Sequence, residues 1–167
     1  MRALYAIALG SNQRHARFGS PHDLIEEALR RLPGVLLDRS RIITSRPIGP
    51  SIRSYANAAA LIETEMDPPH LLAALHAVEA ELGRIRRGRR WRARTIDLDI
   101  ILWSDGVWSE PDLSVPHPAF RQRHFVLEPL SQIAAGWRDP LSTRTIGQLL
   151  AQCTTRIPAL DPPRPRA

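Results

Sequence analysis

The sequence contains no lysine, and this absence limits the chemistry that the chain can carry out. All 23 of its basic residues are arginine. A P-loop mechanism, in which a lysine reaches the phosphates of a nucleotide, is therefore excluded. Any contact with a phosphate must come from arginine, histidine or a backbone amide.

Cysteine and long apolar runs are also scarce. Cys153 is the single cysteine among 167 residues, which excludes an internal disulfide framework and a cysteine zinc site. No apolar run approaches the length of a membrane span. The apolar opening at residues 3–9 leads into a Gly-Ser-Asn turn at residues 10–12, so we expect a first strand there and not a signal peptide. We expect a cytoplasmic protein that binds no membrane.

The positive charge is concentrated in one segment. The formal net charge is +6, and seven arginines lie between residues 84 and 94. Without these seven arginines the rest of the chain is close to neutral. Such a segment is typical of a solvated face or a nucleic-acid-binding surface, but guanidinium groups also bind phosphate oxygens in bidentate fashion.

Two aspartates, Asp97 and Asp99, follow this segment within the apolar run TIDLDIIL at residues 95–102. The run is rich in β-branched residues and predicts a strand, in which both carboxylates point to the same face roughly 6.5 to 7 Å apart. Two carboxylates this close resist burial unless a cation lies between them. Such pairs are more often salt-bridged than metal-bound, but the neighbouring arginines favour a divalent metal completed by phosphate oxygens.

Apolar periodicity and turn residues predict the order strand, helix, strand, strand, helix, strand. Ser20 begins the first helix as N-cap, with Pro21 and Asp23 behind it, and Asp67 begins the second. This order is a split βαβ core (βαββαβ) of the α+β class, with two helices on one face of an antiparallel sheet and C-terminal elements wrapped around one end. The predicted strands are 3–9, 35–44, 55–63 and 95–102, followed by a hairpin at 105–106 and short helices near 121–133 and 145–152.

Five segments of the sequence recur in the same order in a known enzyme family. They are ALGSN at 8–12, RPIGP at 46–50 with SYANAA at 54–59, ELGRIRR at 81–87, RWRARTIDLDIILW at 90–103, and VPHPAFRQRHFVLEPL at 115–130. By these residues the chain resembles the 6-hydroxymethyl-7,8-dihydropterin pyrophosphokinase family. RTIDLDI and VPHP together are specific to that family, whereas ALGSN alone would be weak.

This resemblance implies a ferredoxin-like α+β fold and a transferase of folate biosynthesis. The pyrophosphoryl group of MgATP would move to the hydroxymethyl oxygen of the pterin, and AMP would leave. The resemblance implies two Mg²⁺ ions, with Asp97 and Asp99 as their ligands. Asp97 is a candidate acceptor for the hydroxyl proton, although metal coordination could lower the pKa of that hydroxyl by itself.

The resemblance also assigns roles to further residues. Arg84 and Arg94 match the arginines that hold the phosphates, although Arg84 could instead pair with Glu79 or Glu81. Phe125 would stack on the pterin, or it would simply pack in the core. The residues matched to nucleotide binding are Glu79, Arg86, Trp91, Ile100, His117 and Arg123. Those matched to pterin binding are Ser45, Pro47, Ile48, Tyr55, Asn57 and Phe125.

Two other classes of function compete with this interpretation: an RNA-binding ferredoxin-like module and a non-catalytic nucleotide sensor. Aromatic residues make up only 5% of the chain, and no strand carries the aromatic pattern of an RNA-binding sheet. We therefore expect small-molecule partners, no nucleic acid, and a monomer. We expect one pyrophosphokinase domain at 1–160 and a disordered tail at 161–167. The conformations of the loops at 13–20, 45–54 and 84–94 stay open.

Overall fold

The computed structural model describes residues 1–45, 54–84 and 95–155. Within these residues the chain makes a short 3₁₀ turn, Phe120–Gln122. The helices and strands are β1 Ala3–Ser11, α1 Pro21–Arg30, β2 Val35–Arg39, β3 Ile43–Ser45, β4 Tyr55–Thr64, α2 Pro68–Glu81, β5 Asp97–Trp103, β6 Trp108–Glu110, β7 Leu113–Val115, α3 His124–Ala134 and α4 Ile146–Thr155.

The main sheet is antiparallel, with the order β2-β4-β1-β5, and β3 pairs with β4. Strand β1 is therefore central, between β4 and β5. Helix α1 connects β1 to β2 across β4, and α2 connects β4 to β5 across β1. This is the ferredoxin-like arrangement, and it confirms the predicted α+β class and the split βαβ core.

The N-terminal caps form where the sequence predicts them. The Ser20 Oγ accepts a hydrogen bond from the Asp23 N–H at 3.2 Å, and Asp23 Oδ2 accepts one from the Ser20 N–H at 2.8 Å. Asp67 likewise accepts a hydrogen bond from the His70 N–H at 3.0 Å. The apolar faces of α1 and α2 then cover one face of the sheet. Buried residues of this first core include Tyr5, Ile7, Leu24, Ile25, Ile62, Leu71, Leu75 and Leu98.

The prediction that the C-terminal elements wrap around one end of the sheet is wrong. Helices α3 and α4 cover the second face, where they bury Leu127 and Leu149 against Ala6 and Leu102. The sequence reason is that β5 ends in an unbroken apolar run at residues 100–103, which is typical of a strand segment buried on both faces. A bulge at Ile101 in the pairing of β1 with β5 shifts the alternation of side chains, so that Leu102 joins Ile101 in the second core.

Two predicted strand boundaries are also corrected. The strand predicted at 35–44 is two strands, because Ser40 interrupts it: this residue is 3% exposed, and its Oγ accepts a hydrogen bond from the Ala59 N–H at 2.9 Å. Strand β1 does not turn at residues 10–12 but continues through Gly10 and Ser11, which pair with β4.

The predicted hairpin at 105–106 is only a tight turn. The Gly106 N–H donates to the Trp103 carbonyl at 3.2 Å, and Gly106 has a φ of 113°. The strand that follows, β6, pairs with β7 and not with β5. Every helix among the described residues is too short or too polar to span a bilayer.

A buried carboxylate ties the turn before α4 to the loop that precedes α3. Asp139 is 0% exposed and accepts two hydrogen bonds from Arg121, from Nε at 2.6 Å and from Nη2 at 2.7 Å. It also accepts hydrogen bonds from the backbone N–H groups of Leu141 and Ser142, both at 3.2 Å, and from the Ser142 hydroxyl. Because a buried charge is tolerated only with such partners, this cluster fixes the loop that leads into α3.

Replacing Asp139 with asparagine is expected to lower the free energy of unfolding by about 2 kcal/mol at neutral pH. Burial alone would raise the pKa of Asp139, but the hydrogen bonds from Arg121, Ser142 and Leu141 lower it from 3.8 to about 2. The stabilisation is therefore present above pH 3.8 and is lost as the pH falls through about 2. Urea titrations of both proteins should show a difference that shrinks across this acid range. Equal midpoints at neutral pH would contradict the assignment.

Candidate active site

The register of the central strands places the predicted polar residues on one face of the sheet. Gly10 of β1 lies between Asn57 of β4 and Asp97 of β5. Two residues back along β1, Ala8 lies opposite Asp99. Because side chains alternate along a strand, all five positions belong to the face that α3 and α4 cover. The two aspartates therefore share a face, as the alternation predicts.

The residues of β1 beneath these side chains are small. Gly10 has no side chain, and a Cβ placed there would lie 3.4 Å from Asn57 Oδ1. Ala8 adds only a methyl group below Asp99. Gly10 and Ala8 thus leave space above the sheet between the amide of Asn57 on one side and the carboxylates of Asp97 and Asp99 on the other. We call these two residues the floor of the site.

The charge of Asp99 is only partly compensated by the arginines around it. Asp99 is half-buried, and its pKa is raised from 3.8 to about 7. Burial is the larger cause, and the carboxylate of Asp97 is the next, while Arg123 and Arg84 act in the opposite direction. A site that raises the pKa of a carboxyl in this way attracts an additional cation.

A buried acid on α2 organises the approach to these aspartates. Glu79 is 1% exposed, and its Oε1 accepts hydrogen bonds from the Leu98 N–H at 2.8 Å and from Arg84 Nη1. The same Nη1 donates to Asp97 Oδ1 at 2.6 Å. The pairing of Arg84 with Glu79, which the sequence left open as an alternative to phosphate contact, is thus present. Glu81 pairs with Arg31 at 3.0 Å.

A second group of residues approaches Asp99 from the loop before α3. The His117 N–H donates to the Ile101 carbonyl at 3.0 Å, which attaches this loop to β5. Its Nδ1 accepts a hydrogen bond from the Ala119 N–H at 3.2 Å. Burial, and then the charge of Arg123, lowers the pKa of His117. His117 is therefore a neutral hydrogen-bonding group near neutral pH, which suits binding better than acid-base chemistry.

The predicted pterin residues of β3 and β4 lie on the side of Gly10 opposite the two aspartates. Asn57 is 4% exposed, and its Nδ2 donates to Ser45 Oγ at 2.7 Å. Tyr55 is half-buried and pairs with Ser45 in the sheet. Phe125 is half-buried against the second core, with the Arg123 guanidinium carbon 5.9 Å from its ring centre.

The remaining predicted residues divide into two groups. The side chain of Ile100 is 3% exposed in the first core, on the face away from the aspartates, so any contact with a nucleotide must come from its backbone. The other group lies outside the described residues and consists of Pro47, Ile48, Arg86, Trp91 and Arg94.

Three residues of this region were not predicted from the sequence as part of the site. Gly10 and Ala8 form its floor. Their small size in the motif ALGSN is a signal in the sequence, but that motif predicts a strand, a turn and the family resemblance, and no site residue. Asn12, two residues after Gly10, is 4% exposed, and among the described residues no donor reaches its Oδ1. A buried amide oxygen without a partner is uncommon and marks this end of β1 as unusual.

The donor set fits a divalent ion that is completed by a ligand and not by the protein alone. Within residues 1–45, 54–84 and 95–155, no group of three or more acidic, histidine or cysteine side chains could hold a metal. The two aspartates supply carboxylate oxygens only. This composition suits Mg²⁺, which keeps waters and binds through one or two carboxylates plus substrate phosphates.

Comparison with known proteins agrees with the family resemblance of the sequence. A family model described as 7,8-dihydro-6-hydroxymethylpterin-pyrophosphokinase (HPPK) matches residues 6–135. The chain is similar to a 2-amino-4-hydroxy-6-hydroxymethyldihydropteridine pyrophosphokinase of Synechocystis, with 37% identity over 91% of this chain and 78% of the relative. It is also similar to a protein of the same description from Pseudomonas aeruginosa, with 40% identity over 88% of this chain and 90% of the relative.

Solved structures with a similar fold include longer chains. A crystal structure of wild-type Plasmodium falciparum HPPK-DHPS with SDX-DHP superimposes with a TM-score of 0.73 and 13% sequence identity. The match covers 94% of this chain but 45% of the longer one, so this chain spans less than half of that protein's length. At this identity the likeness supports the fold alone.

Proposed function

The chain belongs to the 7,8-dihydro-6-hydroxymethylpterin-pyrophosphokinase family, and on this premise we propose how its own residues carry out the reaction. The reaction transfers pyrophosphate from MgATP to the hydroxymethyl group of 6-hydroxymethyl-7,8-dihydropterin. It forms the pterin diphosphate and AMP and is a step of folate biosynthesis.

The observation that supports this proposal most directly is the row Asn57, Gly10, Asp97 across three strands. A heterocycle read by Asn57 and a polyphosphate held near Asp97 and Asp99 would meet above Gly10. The hydroxymethyl oxygen would then lie between the amide and the carboxylates. Holding both reactants over one rigid sheet is a large contribution to a transfer reaction.

Each side chain has a distinct role in this proposal. Asp97 and Asp99 would hold two Mg²⁺ ions, which when bound neutralise the triphosphate and lower the pKa of the hydroxyl group. Asp97 is the candidate acceptor of the hydroxyl proton. Arg84 would bind phosphate oxygens, and Arg123 with His117 would bind the nucleotide from the side of α3.

The pterin would bind through stacking and through hydrogen bonds. Tyr55 and Phe125 offer aromatic faces to the flat bicyclic ring. Asn57 offers a carbonyl oxygen and an amide to its polar edge. Its Nδ2 already donates to Ser45 Oγ, so Asn57 Oδ1, the atom nearest to Gly10, is the one that would accept from the ring.

The proposal is tested by measuring AMP formed from ATP. AMP formation should require both Mg²⁺ and the hydroxymethyl pterin, and it should disappear when the metal is chelated. AMP released equally fast without the pterin would contradict the proposed transfer. We further propose that residues 1–160 form a single pyrophosphokinase domain, because both cores share one sheet. The monomeric state and the cytoplasmic location stay predictions.

Replacing Gly10 with valine is expected to lower kcat/KM for the pterin by roughly a hundredfold, because the new methyl groups would occupy the floor between Asn57 and Asp97. Valine is favoured in strands, so the melting temperature should change little. Gly136→Val is a matched control, since a Cβ at Gly136 meets nothing within 4 Å. Steady-state kinetics that did not distinguish the two variants would show that the floor is not part of the site.

A further inference from the structure

The ion network of Glu79, Arg84 and Asp97 carries an inference that rests on the proposed function and extends it. We propose that Arg84 is the resident cation of the metal site in the substrate-free enzyme. Its guanidinium stays hydrogen-bonded to the Asp97 carboxylate until a metal-bound nucleotide enters the site. It then releases Asp97 and binds phosphate oxygens of the nucleotide instead. Metal binding and nucleotide binding are thereby coupled.

The geometry of Arg84 supports its role as a stand-in for the metal. Its side chain is 17% exposed, and the side chain of Asp97 is 25% exposed, so the pair is largely removed from water. Arg84 Nη1 donates to Asp97 Oδ1 at 2.6 Å. A metal at that oxygen and a guanidinium at 2.6 Å from the same atom are both positive, so the two compete for it.

The buried acid next to this pair explains why Arg84 does not leave the site altogether. Glu79 is 1% exposed, and the Leu98 N–H, at 2.8 Å from Oε1, holds it in place. A carboxylate buried to this extent needs a positive partner at all times. Arg84 supplies that partner through the same Nη1 that reaches Asp97.

The exchange is therefore a rotation of Arg84 about Glu79. The guanidinium keeps Glu79, leaves Asp97, and turns its other N–H groups to phosphate oxygens. Glu79 is accordingly a positioning residue that acts through Arg84. Its backbone partner, Leu98, lies between the two aspartates, so Glu79 also fixes the segment of β5 that carries them.

The coupling has a directional consequence for metal binding. Without a nucleotide, a divalent ion must displace Arg84 from Asp97, and the arginine gains no new partner. With a triphosphate, the phosphate oxygens accept the displaced N–H groups. The ion alone should therefore bind weakly, and the ion with a nucleotide should bind strongly.

The test measures Mn²⁺ binding to the full chain by electron paramagnetic resonance, with and without a non-hydrolysable ATP analogue. In the substrate-free state, Arg84→Gln should bind Mn²⁺ about tenfold more tightly than the wild type. The same variant should show a smaller gain in Mn²⁺ affinity when the analogue is added. Adding Asp97→Asn to Arg84→Gln should remove the increase.

Glu79→Gln is expected to change the Mn²⁺ affinity in the opposite direction from Arg84→Gln. Once Glu79 is neutral, it no longer shares the charge of Arg84, so Arg84 holds Asp97 more strongly and substrate-free Mn²⁺ binding should become several-fold weaker. General damage to the fold would weaken binding in both single variants and could not produce opposite shifts. Arg31→Gln is the control, because Arg31 pairs with Glu27 and Glu81 at the surface, and it should match the wild type.

Unchanged or weaker Mn²⁺ binding by substrate-free Arg84→Gln would overturn the inference. The proposed function would survive that result if the wild type still formed AMP with both substrates. A wild type that formed no AMP, and bound no Mn²⁺ even with the analogue, would instead overturn the proposed function.

Discussion

Asp99→Asn is expected to reduce AMP formation by at least about a thousandfold, a larger loss than that expected from any other substitution in the site. Asparagine keeps the size of the side chain but removes the charge that holds a metal and its triphosphate. The pKa of Asp99 is raised to about 7, first by burial and then by Asp97, so the protein places a poorly compensated carboxyl there. Such a residue serves function at the expense of stability.

The stability of the variant provides the decisive companion measurement. Because the charged form of Asp99 is disfavoured in the folded protein, Asp99→Asn should melt at the same temperature as the wild type or above it. A metal-binding measurement with the ATP analogue should show lost affinity. Asp105→Asn, an exposed aspartate in the turn after β5, should behave as the wild type in all three measurements. An active Asp99→Asn would remove the metal assignment.

Asn57→Ala should raise the KM for the pterin by on the order of a hundredfold and leave the KM for ATP nearly unchanged. The amide is buried, so its loss leaves the polar edge of a bound heterocycle without a partner, and an unpaired buried group costs about 1–3 kcal/mol. The separation of the two KM values is expected because Asn57 and the carboxylates lie on opposite sides of Gly10.

Ser45→Ala separates recognition by Asn57 from its local hydrogen bond. It removes the hydroxyl that accepts from Asn57 Nδ2 at 2.7 Å but keeps the Asn57 amide itself. The effect on the KM for the pterin should therefore be a small part of that of Asn57→Ala. Equal effects of the two variants would mean that the amide is structural and does not read the pterin.

Interactions between residues close together in the sequence made much of the fold and part of the site predictable. The cap at Ser20 depends on residues within one helical turn, and the shared face of Asp97 and Asp99 follows from alternation along a single strand. The proposed metal-binding role of Asp97 and Asp99 follows from two close carboxylates beside an arginine-rich segment, whereas the roles of Arg84 and Asn57 come from the family resemblance.

Long-range contacts made the rest unpredictable. The sequence predicts a turn at Gly10, because only the register with Asn57 and Asp97 shows that the strand continues through it. The burial of Glu79 depends on a hydrogen bond from the Leu98 N–H, which points outward at the edge of the sheet. No sequence pattern predicts this contact. The position of α3 depends on which face the apolar run of β5 leaves uncovered.

The central position of β1 has a further consequence for how the protein works. This strand is paired on both edges and enclosed by a core on each side, so it belongs to the part of the molecule that opens last in local unfolding. The floor at Ala8 and Gly10 is built into it. Reactants that settle there meet a surface that needs no ordering, so their binding energy is not consumed in freezing the backbone beneath them.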